Sequence, residues 1–130
     1  MSDRRDLIGV LDADYRTQEQ QISAFARRYP TLVFYRHMLR EVFLASKNGK
    51  TGKLTEEKYA MNAAGIIRGA ELVGGRMEIT GFDNVPAKGW PYVFVANHMS
   101  VLETFFFAAI LYPRGDHMFV VKKSLTEYPV

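Results

Sequence analysis

Residues 92–108, YVFVANHMSVLETFFFA, decide how this chain is read. Tyr92 to Ala96 is a short apolar run, rich in aromatic and β-branched side chains, of the length expected for a buried strand. The run breaks at Asn97-His98-Met99-Ser100. It resumes as an apolar segment from Val101 to Tyr112, long enough for three turns of helix. A strand that feeds a helix through a turn bearing His and a nearby acid is a common place for chemistry.

The spacing of His98 and Glu103 carries geometric information. Within one helix, five residues at about 100° each leave two side chains roughly 140° apart, off a common face. They meet only if His98 precedes the helix. Ser100-Val-Leu-Glu103 reads as a capping box, with Ser at the N-cap and Glu at N3. That puts His98 in the turn and Glu103 near the positive end of the helix dipole, which favours an ionised carboxylate. Such a carboxylate can fix the imidazole tautomer and leave the other ring nitrogen free as a general base. Capping alone equally accounts for Glu103, and a turn hydrogen bond for His98.

Composition sets the bounds. The 130 residues are 48% hydrophobic and 24% charged, a globular balance. Without cysteine there is no disulfide framework, thiolate metal site or Cys nucleophile. The N-terminal MSDRRDLIGVLDADYR carries acids inside its only apolar patch, unlike a secretory signal. The apolar run from Thr104 to Pro113 is too short to cross a bilayer. The net charge of +3 is uneven: residues 1–26 hold three basic and five acidic side chains, 27–58 eight and three, and 59–130 six of each. The basic middle is read first as a solvated helix face, with an anionic membrane surface as the alternative partner. No nucleic-acid motif accompanies it, and its aromatics fall on apolar faces, so nucleic acid is not an expected partner.

The periodicity predicts a helix over 13–29, ended by Pro30, and a second over 31–46. The second is rich in large apolar residues, including Phe34 and Phe43, with Arg36, His37, Arg40 and Glu41 as its polar edge. Its wide apolar face suits a helical hairpin, and also a membrane interface. Lys47 to Lys53 reads as a loop; its Gly and Lys content lacks phosphate-loop spacing. Thr55 caps a third helix with the apolar stripe Tyr59, Ala63, Ile66, Ile67, Ala70 and Val73. On this helix Met61, Gly65 and Gly69 form a strip that another backbone can approach closely. Gly74-Gly75 ends it. Arg76 to Gly81 alternates as a strand, Asp83 to Gly89 is a turn region, and His117 to Val121 is a further strand. A second Ser-x-x-Glu box stands at Ser124 and Glu127. The fold class expected is α/β: a helical region over 1–75, then the start of an α/β domain over 76–130 with an incomplete sheet.

The run VFVANHMSVLETFFFAAIL followed by FVVKKSLTEYPV resembles the glycerolipid acyltransferases, and most closely the bacterial lysophosphatidic acid (1-acylglycerol-3-phosphate) acyltransferases. That family carries N-H-x-x-x-x-D at a strand-to-helix turn, then a strand ending in Lys-Lys/Ser-Leu and a Pro. Asn97-His98 with Glu103, and Lys122-Lys123-Ser124-Leu125 with Pro129, match in order. Met77 to Pro86 is similar to the family's lead-in. The resemblance covers about residues 75–130. It implies His98 as general base on an acceptor hydroxyl, Glu103 as its orienting acid, and Lys122 and Lys123 as substrate-binding cations. It implies a fatty acyl group moved from an acyl-CoA or acyl-carrier-protein thioester to lysophosphatidic acid or a similar precursor, with no bound cofactor or metal. Residues 31–46 would supply peripheral contact with the inner face of the membrane, from the cytoplasm. Glu103 stands where the family has Asp, one C–C bond of about 1.5 Å longer. The family's later Arg-containing and Glu-Gly-Thr-Arg blocks are absent from these residues, so the chain reads as truncated and is expected to have little or no activity alone. The alternative is a non-enzymatic helical module that binds a membrane or partner.

Overall fold

The computed structural model describes residues 13–86, 91–115 and 117–123. Helices dominate them: α1 (Ala24–Arg28), α2 (Pro30–Lys50), α3 (Glu56–Leu72) and α4 (Val101–Leu111). The sheet among the described residues is a two-residue pairing, β1 (Tyr15–Arg16) antiparallel to β2 (Glu78–Ile79), with Tyr15 opposite Ile79. Short 3₁₀ turns follow at Phe82–Asn84 and Tyr112–Arg114. The chain is thus a helical body carrying a fragment of sheet.

The helix ends follow local chemistry. Ser23 caps α1 by accepting from Ala26 N at 3.1 Å, and Pro30 opens α2, where its missing N–H costs nothing. Thr55 caps α3 by accepting from Lys58 N at 3.3 Å, with Glu56 and Glu57 in the first turn. Left-handed glycines stop the helices, Gly52 (φ 65°) after α2 and Gly74 (φ 93°) after α3. The stop at Gly52 comes later than the loop expected from Lys47, so α2 runs on to Lys50.

Helix α3 is the hub. Ala63, Ala64 and Ile67 pack with Phe82 and with Ala108 and Ala109 of α4, and Tyr15, Met77, Ile79 and Phe106 close around them. This core draws on residues from both sides of position 75. Alanine on alanine lets α3 and α4 approach closely with little side-chain entropy lost. Phe82 is held further by the Arg114 guanidinium, 5.6 Å from its ring centroid.

Three expectations are corrected. The segment 13–29 is not one helix. Tyr15 and Thr17 are drawn instead to the buried carboxylate of Glu71, at 2.5 and 2.7 Å, and Asp14 accepts from Phe82 N at 3.0 Å. These long-range partners override local helix propensity. Second, the polar edge of α2 splits: Arg36 and Arg40 stay exposed, while His37 and Glu41 point inward. Glu41 is 1% exposed and packs on Gly65, and His37 is half-buried against Gly69. Leu32, Tyr35, Leu39 and Phe43 face outward instead. Third, Tyr92–Ala96 and His117–Val121 form no ladder among the described residues. They keep a strand's alternation: Val93 and Val95 are 90% and 92% exposed, against 43% and 47% for Tyr92 and Phe94. Tyr92 and Phe94 meet each other on one side, ring centroids 6.4 Å apart, while the backbone has no neighbouring strand among the described residues. The box at Ser124 and Glu127 lies outside the described residues.

Candidate functional site

The turn before α4 brings His98 and Glu103 together. Ser100 takes the N-cap in extended geometry and accepts from Leu102 N at 3.1 Å. The helix starts at Val101, so Glu103 lies in the first turn and its side chain reaches back over the entry. Glu103 Oε2 is 3.2 Å from His98 Nδ1. Both carboxylate oxygens also accept from Met99 N, at 3.0 and 2.9 Å. The reciprocal contact of the capping box is therefore made with Met99 and not with Ser100 alone.

Electrostatics follow from this nest of donors. Partial desolvation pushes the Glu103 carboxyl up, but the backbone N–H groups of Ser100 and Met99 and the His98 side chain outweigh it. The net effect holds the carboxyl below its ordinary value of 4.5. Glu103 is therefore ionised at neutral pH and sits behind a solvent-facing imidazole, for His98 is 71% exposed in its side chain. Capping and orientation coexist: the contacts that start the helix also aim the acid at His98.

Lys122 and Lys123 lie exposed on the segment after α4. Ser124, Leu125 and Pro129 lie outside the described residues. Among the described residues no group of three or more His, Cys, Asp or Glu side chains could hold a metal ion. None of the described helices is long and apolar enough to cross a membrane.

Two polar features escape a reading of periodicity. Glu71 is fully buried under Tyr15, Thr17 and Arg68, the last at 3.1 Å. Its only local signal is the Arg68–Glu71 spacing of three. Asn62 is 8% exposed, a single amide inside the apolar run from Met61 to Ile67, and its Nδ2 has no hydrogen-bond partner among the described residues. A lone amide between alanines is the signal that could have found it. No protein-family model, curated protein or solved structure matches the chain.

Proposed function

We propose that this chain carries the base and orienting acid of an O-acyltransferase that moves a fatty acyl group from a thioester to a hydroxyl of lysophosphatidic acid or a similar glycerophospholipid precursor. The observation that carries the reading is the 3.2 Å contact between His98 Nδ1 and Glu103 Oε2 at a helix entry. With Glu103 ionised, Nδ1 keeps its proton and Nε2 is left to accept one. The acceptor hydroxyl gives its proton to Nε2 as its oxygen attacks the thioester carbonyl. The carbon–sulfur bond then breaks, and the departing thiolate takes the proton back from the imidazolium. Lys122 and Lys123 would meet the acceptor's phosphate, and the donor would be an acyl-CoA or acyl-carrier-protein thioester.

Turnover by this chain alone is expected to be slow, because an imidazole so exposed works in water and not in a closed site. The test is thiol release from an acyl-CoA that depends on added lysophosphatidic acid. A positioned base is worth about 10²–10⁴ in rate, so His98→Ala should lower the acceptor-dependent rate about 100-fold or more and Glu103→Gln by less. Equal rates for wild type and His98→Ala would overturn the assignment.

A second reading, a non-enzymatic module docked on a membrane, is favoured by the outward face of α2. Leu32, Tyr35, Leu39 and Phe43 are 46–65% exposed there, flanked by Arg36, Arg40 and Lys47. An apolar stripe bordered by cations suits an anionic interface. The two readings are compatible if the helix brings the turn at His98 to the lipid at the inner face of the membrane.

A further inference from the structure

The exposed apolar surface runs past the start of α2 onto α1. Phe25 and Tyr29, four positions apart, are 59% and 48% exposed, and their rings meet with centroids 5.4 Å apart. Tyr29 then shares a groove of about 510 Å³ with Leu32 and Tyr35 of α2. The rings at α1 therefore continue into the outward stripe that runs on to Leu39 and Phe43. Six large apolar side chains, 46–65% exposed, lie along this surface. A patch of that kind marks a docking surface, and its charge says for what.

Within residues 27–53 only positive charge is exposed. Arg27 to Lys53 holds four Arg and three Lys against a single acid, Glu41, which is 1% exposed. Arg27, Arg28 and Arg36 are exposed and have no carboxylate within ion-pair distance among the described residues. Arg28 lines the groove itself, its guanidinium 5.3 Å from the centroid of the Tyr29 ring. Two tyrosines can hold a quaternary ammonium, but here a cation already covers one ring and its neighbours repel another. A phosphate fits instead, for the guanidinium fork offers it paired donors. The apolar stripe gives the same ligand a place for hydrocarbon, which a free phosphate lacks. Phosphate and hydrocarbon together are the chemistry of a phospholipid at a bilayer surface.

We propose that the groove at the corner of α1 and α2 holds the phosphate of an anionic phospholipid within a bilayer, with Arg28 as its ligand and Phe25 and Tyr29 inserted beside it at the interface. This rests on α2 lying on the membrane, and adds to it a second helix, a headgroup site and a lipid class. A surface with no exposed acid makes binding depend on anionic lipid, each cation lost costing about fivefold in affinity. The chemistry at His98 does not enter, since that residue lies outside the groove lining.

Sedimentation of the whole 130-residue chain with vesicles of phosphatidylcholine alone, and of phosphatidylcholine mixed equally with phosphatidylglycerol, tests the proposal. Binding to the mixed vesicles should be at least about tenfold tighter and should weaken as salt rises. Arg28→Gln should weaken it about fivefold, and Arg28→Lys, which keeps the charge but not the fork, about two- to threefold. Phe25→Ser should weaken it as well. Lys58→Gln, which removes a cation from α3, should change it less than about twofold. Inorganic phosphate at matched ionic strength should not compete. Arg28 and Phe25 are exposed, so their variants should melt within a few degrees of wild type, which separates lost binding from lost folding. Equal binding to both vesicles, competition by inorganic phosphate, unchanged binding in Phe25→Ser, full binding by Arg28→Lys, or an Arg28→Gln effect no larger than that of Lys58→Gln would overturn the proposal. If one of these occurs while Leu39→Glu with Phe43→Glu still abolishes binding to the mixed vesicles, α2 remains the membrane anchor and only the headgroup site falls. A wild-type chain that binds neither vesicle removes both.

Discussion

Tyr15 shows how one hydroxyl can fix the path of a chain end. Its phenol donates to Glu71 at 2.5 Å, beside Thr17 at 2.7 Å and Arg68 at 3.1 Å. Burial first, and then the neighbouring Glu71 carboxylate, push the Tyr15 phenol up to about 12. A group whose folded value lies above its ordinary 10.0 contributes fully below pH 10 and loses that contribution as pH rises through about 12. Tyr15→Phe should cost about 1–2 kcal/mol at neutral pH, the worth of a partly exposed hydrogen bond to a charged acceptor. Urea denaturation measured against pH should show the gap between wild type and variant narrowing above pH 10. A gap that stays constant to pH 12 would mean that the hydrogen bond from the ionisable hydroxyl to Glu71 does not set the cost. At the other site Glu103 has the opposite sign. Its carboxyl is held below 4.5, so its contribution is present above that value and is lost as pH falls through the lower folded value.

At the scale of the element, α2 is the helix whose faces were misjudged by periodicity. It is apolar nearly all round, so hydrophobic pattern could not say which side meets α3. The decision belongs to α3, where Gly65 and Gly69 leave room for Glu41 and His37. The strip of small residues was legible in the sequence; what would fill it was not, because a charged side chain is a poor guess for a buried partner. A methyl group at Gly65 would stand 2.7 Å from the Glu41 carboxyl carbon, and one at Gly69 would stand 3.0 Å from His37 Cβ. Gly65→Ala gains about 1 kcal/mol of helix propensity but overpacks the interface by about 1–3 kcal/mol. A net loss near 1 kcal/mol in urea denaturation is expected, and it should shrink when Glu41→Ala is added. The outward face makes the complementary prediction. Leu39→Glu with Phe43→Glu should abolish flotation with anionic liposomes and leave the melting temperature within a few degrees of wild type, since both side chains are exposed. Phe34→Glu should instead lower stability, for Phe34 is half-buried. Unchanged flotation in the double variant would remove α2 as the anchor.

Across the whole molecule, the sequence was most informative where structure is local and least where it needs a distant neighbour. The caps at Thr55 and Ser100, the stop at Gly74, and the meeting of His98 with Glu103 all follow from spacing within a few residues. The runs at Tyr92–Ala96 and His117–Val121 carry the alternation of strands, yet a strand is completed only by another backbone, and none pairs with them among the described residues. They leave Val93, Val95, Met118 and Val120 at least 90% exposed. Such runs present both apolar side chains and unpaired backbone groups, which favour association with other chains. Val93→Lys combined with Val120→Lys should therefore change the melting temperature little, within about 0.5 kcal/mol of stability, because neither side chain packs in the core. The same variant should bind less of an apolar fluorescent dye and show weaker concentration-dependent association in sedimentation. A fall in stability of 2 kcal/mol or more would show that these valines carry packing that their exposure conceals. Unaltered dye binding and sedimentation would place the adhesive surface elsewhere, with the outward face of α2 the next to be tested by the same measurements.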